Sequence, residues 1–266
     1  MTLFLILFSL VGANFEKWDV PVNPRDGLAL DADGSIWGMH TDGKGGATLS
    51  RFVKKGSNWE KTFSFPQTFA GQAEVLLTKD NIGLVHYDNG LVEMYTRQGK
   101  RLWQSKVYNP IAARIDEGGN IWVLLNSGLI CRKTPDSSAV EPIIKKNGAE
   151  MFIDSLLDVV PFSNGDMYYV DDYERFVSVK GGTEKVLGKL NTQRILKTHL
   201  GGVIAFVDES VVHVTEEMKM RTLWKVPEGL GSEIRFMQRG LDGRIILGIP
   251  GAGKGTLFVL SKEVEK

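Results

Sequence analysis

Short apolar runs separated by turn-forming residues follow one another along most of the chain. Runs such as 27–31, 166–171 and 211–215 are rich in Leu, Val and Tyr, and Gly, Asn and Asp recur between such runs. Branched and aromatic side chains suit the pleated surface of a β-strand, whereas Gly, Asn and Asp suit tight turns. No segment shows an apolar stripe at helical spacing. The pattern therefore predicts an all-β chain of short strands and hairpins.

One unit, a turn followed by a strand, recurs six times with a mean step of about 42 residues. Each copy opens with Gly or with an Asp-Asn pair, and these residues accept the positive φ that a tight hairpin needs. The six copies are residues 34–36, 80–82, 119–121, 165–167, 202–204 and 243–245.

The six tryptophans occupy two positions of this repeat. Steps of 41, 44 and 121 residues, the last about three repeats long, separate four of them, which are Trp18, Trp59, Trp103 and Trp224. The other two, Trp37 and Trp122, lie 85 residues apart, which is about two repeats. An internal period of about 40 to 50 residues with four strands in each unit is typical of β-propeller blades.

The two ends of the chain are complementary within this repeat. Residues 14–266 hold six units, with blade boundaries expected near residues 26, 70, 111, 153, 193 and 232. The last unit leaves no room for a proper fourth strand, and residues 14–20 match the fourth-strand position of the other units. We therefore predict an all-β fold, a six-bladed β-propeller whose N-terminal strand completes the last blade and removes free sheet edges.

Residues 1–13 differ from the rest of the chain because they carry no charged side chain and are largely apolar. Val11, Gly12 and Ala13 suit cleavage by signal peptidase. We expect a signal peptide over 1–13, a single propeller domain over 14–266, and a secreted or periplasmic protein. An apolar N-terminal strand packed on the fold is the alternative. The segment is shorter than the roughly 20 apolar residues of a membrane span, so we expect no span in the mature chain.

Two segments resemble the repeats of known propeller families. Residues 24–37, PRDGLALDADGSIW, resemble the opening of an NHL-type repeat. Residues 118–132, GGNIWVLLNSGLICR, are similar to the repeat of the periplasmic sensor propellers of bacterial two-component regulators. A weaker similarity, through KWDVP at 17–21 and DGSIWG at 33–38, is to tectonin lectins. The resemblance implies the propeller fold and transfers no catalytic residue.

Charge and cysteine content narrow the classes of function. Lys plus Arg and Asp plus Glu number 32 each, so the formal net charge is zero. This balance lacks the basic excess of nucleic-acid-binding proteins, and we expect no nucleic-acid partner. Cys131 is the single cysteine, which excludes an intramolecular disulfide and a multi-cysteine metal site. We expect Cys131 to be buried after its apolar strand, and the chain to be a monomer.

The segment 243–257, GRIILGIPGAGKGTL, has the glycine and lysine spacing of an adenylate-kinase phosphate loop. In such a loop, backbone amides and the N-terminus of the following helix hold the phosphates. Here LFVL follows Thr256 and predicts a strand instead. We therefore expect Lys254 to lie in a Gly-rich hairpin loop between two strands of the last blade.

Four residues fall at equivalent ends of predicted second strands, on the face where second-to-third-strand loops meet: His40, His86, Asp171 and Asp208. Imidazoles and carboxylates are ligands of Zn²⁺ and other transition metals, so a divalent metal site at the channel mouth is one interpretation. The aspartates and the histidines belong to blades that do not adjoin, so the site would have to form across the channel. Solvated loop residues, or hydrogen-bonding groups of a pocket without a cofactor, are the alternative.

The same face is expected to carry further polar and aromatic groups that suit a small polar molecule, a glycan or a peptide. These candidates are Tyr87, Asn126, Asp172, Tyr173 and Arg175. No compact set of nucleophile, acid and base stands out. We predict a binding module that acts through this face. The alternatives are a metal-dependent propeller hydrolase, lactonase or lyase, and a carbohydrate-binding lectin.

Overall fold

The computed structural model describes residues 15–41, 46–71, 73–137, 139–143 and 148–261. These residues form six antiparallel sheets around one axis, which confirms the predicted six-bladed β-propeller. Two short 3₁₀ helices, Pro24–Asp26 and Gly231–Glu233, lie in crossovers between blades. No helix within the described ranges is long and apolar enough to cross a membrane. The predicted signal peptide, residues 1–13, lies outside the described residues.

Strand β1 (Phe15–Val20) belongs to the last blade, and the strands of blades 1 to 5 follow in chain order from the ring axis outward. Blade 1 comprises β2 (Leu28–Leu30), β3 (Ile36–Thr41), β4 (Gly46–Lys55) and β5 (Asn58–Ser64), with the short β6 (Phe69–Ala70) paired to β4. Blade 2 comprises β7 (Ala73–Leu77), β8 (Asn81–His86), β9 (Leu91–Thr96) and β10 (Arg101–Lys106). Blade 3 comprises β11 (Pro110–Ile115), β12 (Ile121–Leu125), β13 (Ile130–Lys133) and β14 (Glu141–Pro142).

The remaining three blades have the same strand order. Blade 4 comprises β15 (Leu156–Pro161), β16 (Met167–Asp171), β17 (Arg175–Lys180) and β18 (Thr183–Lys189). Blade 5 comprises β19 (Ile195–Lys197), β20 (Val203–Val207), β21 (Ser210–Val214) and β22 (Met220–Lys225). Blade 6 comprises β23 (Phe236–Arg239), β24 (Ile245–Pro250) and β25 (Gly255–Leu260), with β1 as its outer strand.

The ring closes through β1, as the sequence predicted. Its residues pair antiparallel with β25, from Phe15 opposite Leu260 to Val20 opposite Gly255. Trp18 of β1 is only 4% exposed. Its ring meets that of Trp59 in blade 1 edge to face, with centroids 5.4 Å apart. The N-terminal strand therefore joins the last blade to the first through both backbone pairing and side-chain packing.

Apolar side chains between adjacent blades form the core. Successive side chains of a strand point to opposite faces of its sheet, so each sheet can pack on both neighbouring blades. The ring centroids of Trp37 in blade 1 and Phe65 are 5.9 Å apart, and those of Phe65 and Tyr95 in blade 2 are 5.3 Å apart. Trp122 of blade 3 is fully buried. One apolar layer therefore fills each gap between blades.

Glycine supplies the left-handed backbone in five of the six predicted turns. The φ angle there lies between 76° and 90°, at Gly34, Gly119, Gly165, Gly202 and Gly243. In two of these turns an aspartate accepts a hydrogen bond from the tryptophan that follows. Asp31 Oδ2 lies 3.0 Å from Trp37 Nε1. Asp116 Oδ2 lies 2.8 Å from Trp122 Nε1, so this bond explains the second tryptophan position of the repeat.

The ring has two faces, named here by their connections. The turn face carries the turns between first and second strands, such as residues 31–35. The loop face carries the second-to-third-strand loops and the crossovers between blades. The hairpin with phosphate-loop spacing lies on the loop face between β24 and β25, where Gly251 N donates to Lys254 O at 2.9 Å. The expected hairpin is thus confirmed.

Replacing Trp18 by Ala tests the closure of the ring. Loss of a buried aromatic side chain costs about 3–5 kcal/mol. For a domain of this size that lowers Tm by about 6–20 °C. Thermal unfolding followed by circular dichroism measures the change.

Trp103→Ala is the matched control, because Trp103 holds the same repeat position on the outer strand of blade 2 and is only half-buried. It does not join the two ends of the chain, so we expect a smaller loss. Equal losses in Tm for the two variants would contradict a special role of Trp18 in closure.

Candidate functional site

The two predicted histidines lie on the loop-face ends of their strands, in different surroundings. His40 is half-buried, and its Nε2 lies 2.9 Å from Ser50 Oγ. Burial and the nearby Lys61 charge lower the pKa of His40, so the imidazole is neutral at pH 7. Its hydrogen bond to the serine holds it within blade 1.

His86 is the centre of a buried polar cluster between blades 1 and 2. Its side chain is 2% exposed, and its Nε2 lies 3.2 Å from Glu93 Oε2. Glu93 also accepts hydrogen bonds from the Tyr95 hydroxyl at 2.9 Å and from Arg101 at 3.3 Å. Phe69 stacks on the imidazole with centroids 5.5 Å apart. The cluster bridges the crossover of blade 1 and the second and third strands of blade 2.

The two predicted aspartates help to form the loops in which they lie. Asp171 is 1% exposed, and its Oδ1 accepts from the backbone N–H of Tyr173 and of Arg175. Its Oδ2 accepts from Arg175 Nε at 2.7 Å. Asp208 is exposed and, with Glu209, has positive φ in a two-residue turn. Asp171 thus shapes the loop of blade 4, and Asp208 forms a hairpin tip of blade 5.

The described residues do not bring the predicted metal ligands together. No group of three or more His, Cys, Asp or Glu side chains in these ranges could hold a metal ion. The carboxylate of Asp171 and Nε2 of His86 each have a partner within or beside their own blade. Within the described ranges, none of the four candidates therefore belongs to a group of three or more such side chains.

The polar and aromatic candidates on blades 3 and 4 do lie together. Asn126 is exposed, and its backbone N–H donates to Asn109 O in the crossover from blade 2 at 2.9 Å. Asp172 is exposed, and its N–H donates to Ser155 O in the crossover from blade 3. The Arg175 guanidinium lies 5.3 Å from the ring centre of Tyr173. The loop of blade 3 also pairs with the crossover to blade 4, through Ile153 N to Gly128 O at 2.9 Å and the bridge between Leu129 and Phe152. Loops and crossovers thus form one continuous surface over these two blades.

Four large apolar side chains are exposed on this surface, which we call the blade 3–4 patch. They are Tyr108 (80% exposed), Ile111 (41%), Phe152 (55%) and Tyr173 (56%). Ile111 stands at a β-bulge of β11, which turns its side chain away from the core. Among the described residues, no other crossover or second-to-third-strand loop exposes a large apolar side chain. Of these four side chains, only Tyr173 is among the candidates predicted from the sequence.

Tyr87, the remaining candidate, belongs to a charged network at the loop-face end of the central channel. Its hydroxyl donates to Glu74 of β7. Glu74 Oε1 lies 3.7 Å from Arg114 Nη1, and Arg114 Nη2 lies 2.6 Å from Asp158 Oδ1. Burial and the Glu74 carboxylate raise the pKa of Tyr87 well above its usual value, so its hydroxyl stays protonated. Burial opposes the charge of Arg114, but the two carboxylates raise its pKa overall.

Arg114 and Gln238 of the channel were not identified from the sequence. Arg114 interrupts the otherwise apolar first strand Pro110–Ile115, and Gln238 follows two apolar residues in the first strand Phe236–Arg239. A charged or amide side chain in the innermost strand of a propeller blade is the signal that could have found them. Cys131, by contrast, is buried as expected. Burial, with the nearby Glu150 charge, raises the pKa of its thiol to about 11.

Comparison with known proteins gives structural neighbours only. No family model and no curated protein matches the chain. A streptogramin B lyase is similar with TM-score 0.56 and 13% identity, over 93% of this chain and 98% of the lyase. The WD40 propeller domain of Doa1 is similar with TM-score 0.59 and 12% identity, over 90% of this chain and 80% of that chain. YCF48 bound to D1 peptide is similar with TM-score 0.52 and 11% identity, over 95% and 97%.

At these identities the similarity shows the β-propeller fold alone. The neighbours include a lyase and a WD40 domain, so the fold is compatible with more than one class of function. The NHL-type resemblance of residues 24–37 stays a prediction.

Glu93→Gln tests the buried cluster around His86. Burial raises the pKa of Glu93, but hydrogen bonds from His86, Tyr95 and Arg101 outweigh it and lower the pKa overall. A carboxyl with a lowered folded pKa stabilises the fold above its unfolded pKa of about 4.3 and loses that contribution as pH falls through the folded pKa. We expect Glu93→Gln to be less stable than wild type at neutral pH, with the difference shrinking below about pH 4.

Urea unfolding between about pH 3 and pH 7 measures this difference. Glu60→Gln is the control, because Glu60 is 54% exposed in a surface ion pair with Lys55. Its effect on stability is expected to be small at every pH. A Glu93→Gln deficit that is the same across the pH range would contradict the assigned role.

Proposed function

We propose that the protein is a binding module that docks a segment of another protein on the blade 3–4 patch. The observation that supports this most is the uneven exposure of apolar groups around a six-fold repeat. If the fold alone required such exposure, the equivalent loops of the other blades would show it too. Large exposed apolar groups rimmed by polar residues mark interaction sites.

The charges around the patch indicate the chemistry of the partner. Asp154 and Asp172 are exposed and Glu174 is half-buried. The Tyr173 hydroxyl donates to Asp154 Oδ2 at 3.1 Å. Of the nearby cations, Arg175 is already paired with the buried Asp171, and Lys106 and Lys189 are exposed at the loop-face ends of β10 and β18. The three carboxylates beside Tyr173 favour a segment that carries basic residues beside aliphatic or aromatic ones.

The fold is compatible with this mode of binding. Propellers are rigid scaffolds whose loops vary in sequence and length, and binding residues on such scaffolds lie on loops. A propeller of similar fold, YCF48, has been solved with D1 peptide bound. The proposal includes export to the periplasm or the cell exterior, because residues 1–13 have the composition of a signal peptide.

Selection from a random peptide library tests both the position of the binding site and the chemistry of the partner segment. Displayed peptides of about 12 residues, which span about 40 Å when extended, are selected on the wild-type protein. We expect enriched peptides to be basic and to contain aliphatic or aromatic residues. Their affinity should fall as salt rises, because exposed charge pairs are screened. Tyr108→Ala and Phe152→Ala should each weaken binding at least about tenfold.

Val186→Ala and Met220→Ala are matched controls, since these side chains are 58% and 51% exposed but lie on the outer strands β18 and β22. They should leave the affinity unchanged. All four variants should keep the stability of the wild type within about 0.5 kcal/mol, because the changes are on the surface. Enriched peptides that are acidic, or that bind the patch variants as tightly as the wild type, would refute the proposal.

A further inference from the structure

The central channel contains a cavity at the end opposite the blade 3–4 patch. It has a volume of about 400 Å³ and is lined by first strands of all six blades. Thr78, Glu117, Gly119 and Leu241 of the first-to-second-strand turns also line it, so it opens on the turn face. Its size falls within the range of about 300–1,000 Å³ that is typical of small-ligand pockets.

Glu74 and Arg114 line the cavity at its loop-face end. Both belong to the charged network described above, which also includes Asp158 and Tyr87. Asp158 is fully buried, and its Oδ2 accepts from the backbone N–H of Ile195 at 3.0 Å. This network separates the cavity from the loop face, so a ligand in the cavity and a partner on the patch would occupy different sites.

Three polar atoms of two cavity-lining residues are buried and have no hydrogen-bond partner among the described residues. They are Nε and Nη2 of Arg114 and Oε1 of Gln238. Of these, Nη2 still lies in the ion pair with Asp158. Nη1 of Arg114 donates a hydrogen bond to Ala113 O at 2.6 Å. Nε2 of Gln238 donates a hydrogen bond to Val75 O at 3.3 Å, and this bond joins blade 6 to blade 2. Native proteins pair nearly all such groups, because a buried unpaired donor or acceptor is costly.

The mouth of the cavity carries charges of both signs. Lys197 Nζ of blade 5 lies 2.8 Å from Glu117 Oε2 of blade 3, so this ion pair spans blade 4. Both side chains are more than two-fifths exposed, at 41% and 47%. The Lys197 ammonium also lies 4.6 Å from the ring centre of Phe162. A ligand that carries one charge of each sign would be matched at this mouth, whereas a highly charged ligand of a single sign would not.

We propose that the channel is a binding site for a small zwitterionic molecule that carries both a carboxylate and an N–H donor. The carboxylate accepts from Arg114 Nε, and the donor pairs with Gln238 Oε1. The apolar remainder of the ligand packs against the aliphatic wall, to which Leu30, Leu77 and Ile115 contribute. Free amino acids, including those with side-chain amides, have this chemistry. The proposal stands on observations separate from those of the blade 3–4 patch.

A thermal-shift screen of the free L-amino acids tests the proposal, with their C-terminal amides as controls that lack the carboxylate and should not bind. At a concentration about 100 times Kd, a ligand that binds only the folded state should raise Tm by about 5–10 °C. Isothermal titration then gives the Kd of each compound that shifts Tm. Gln238→Leu should weaken that binding at least about tenfold, because it removes the acceptor while keeping the side-chain bulk.

Leu241→Trp provides a steric test, because it places an indole at the mouth of the cavity. It should abolish binding. Leu200→Trp is the matched control, since Leu200 is 41% exposed on a turn of the same face, Leu241 is 39% exposed, and only Leu241 lines the cavity. Leu200→Trp and Tyr108→Ala should bind like the wild type. Circular dichroism shows whether each variant is folded.

Three results would overturn the proposal. The first is that no free amino acid raises Tm, or that the C-terminal amides raise it equally. The second is binding that Gln238→Leu and Leu241→Trp, both folded, leave unchanged. The third is an equal loss of ligand binding in Leu241→Trp and Leu200→Trp, which would show a general effect on the fold. Loss of peptide binding at the blade 3–4 patch has no bearing on these results, so the two proposals fail separately.

Discussion

Backbone pairing between β1 and β25 holds the rest of the molecule in place. Each blade covers the apolar faces of two neighbours, and only a closed ring gives blades 1 and 6 a second neighbour. The pairing also covers the free edge of β25, which would otherwise offer unpaired N–H and C=O groups to other chains. Trp18 adds side-chain packing to this seam by contacting Trp59 of blade 1. Closure of the ring therefore both completes the apolar core and removes an exposed strand edge.

The channel depends directly on that closure. Gln238 of blade 6 donates to Val75 O of blade 2 across blade 1, and Lys197 of blade 5 reaches Glu117 of blade 3 across blade 4. Neither contact would exist in an open stack of sheets, because the blades concerned do not adjoin. The polar groups of the channel thus belong to the ring as a whole and to no single repeat.

Positions that depart from the repeat are the ones with chemical interest. Repeated features, such as the glycines of the turns and the Asp31–Trp37 and Asp116–Trp122 hydrogen bonds, stabilise hairpins. By contrast, the bulge at Ile111 exposes an apolar side chain, and Arg114 stands in an otherwise apolar inner strand. The charges that sum to zero over the chain are also uneven in space, with carboxylates grouped beside Tyr173 on the loop face and both signs at the mouth of the channel.

Local patterns determined the architecture. The spacing of tryptophans and turn glycines predicted the six blades, their boundaries and the N-terminal strand that completes the last blade. This was possible because strand period and turn conformation are short-range properties. They could not say where side chains meet. His40, His86, Asp171 and Asp208 hold equivalent positions along their strands, yet burial and local hydrogen bonds engage three of them within or beside their own blades. Arg114 and Gln238, far apart in the chain, line one cavity only because the ring closes. Convergence across the channel is a long-range property, and only the tertiary structure decided it.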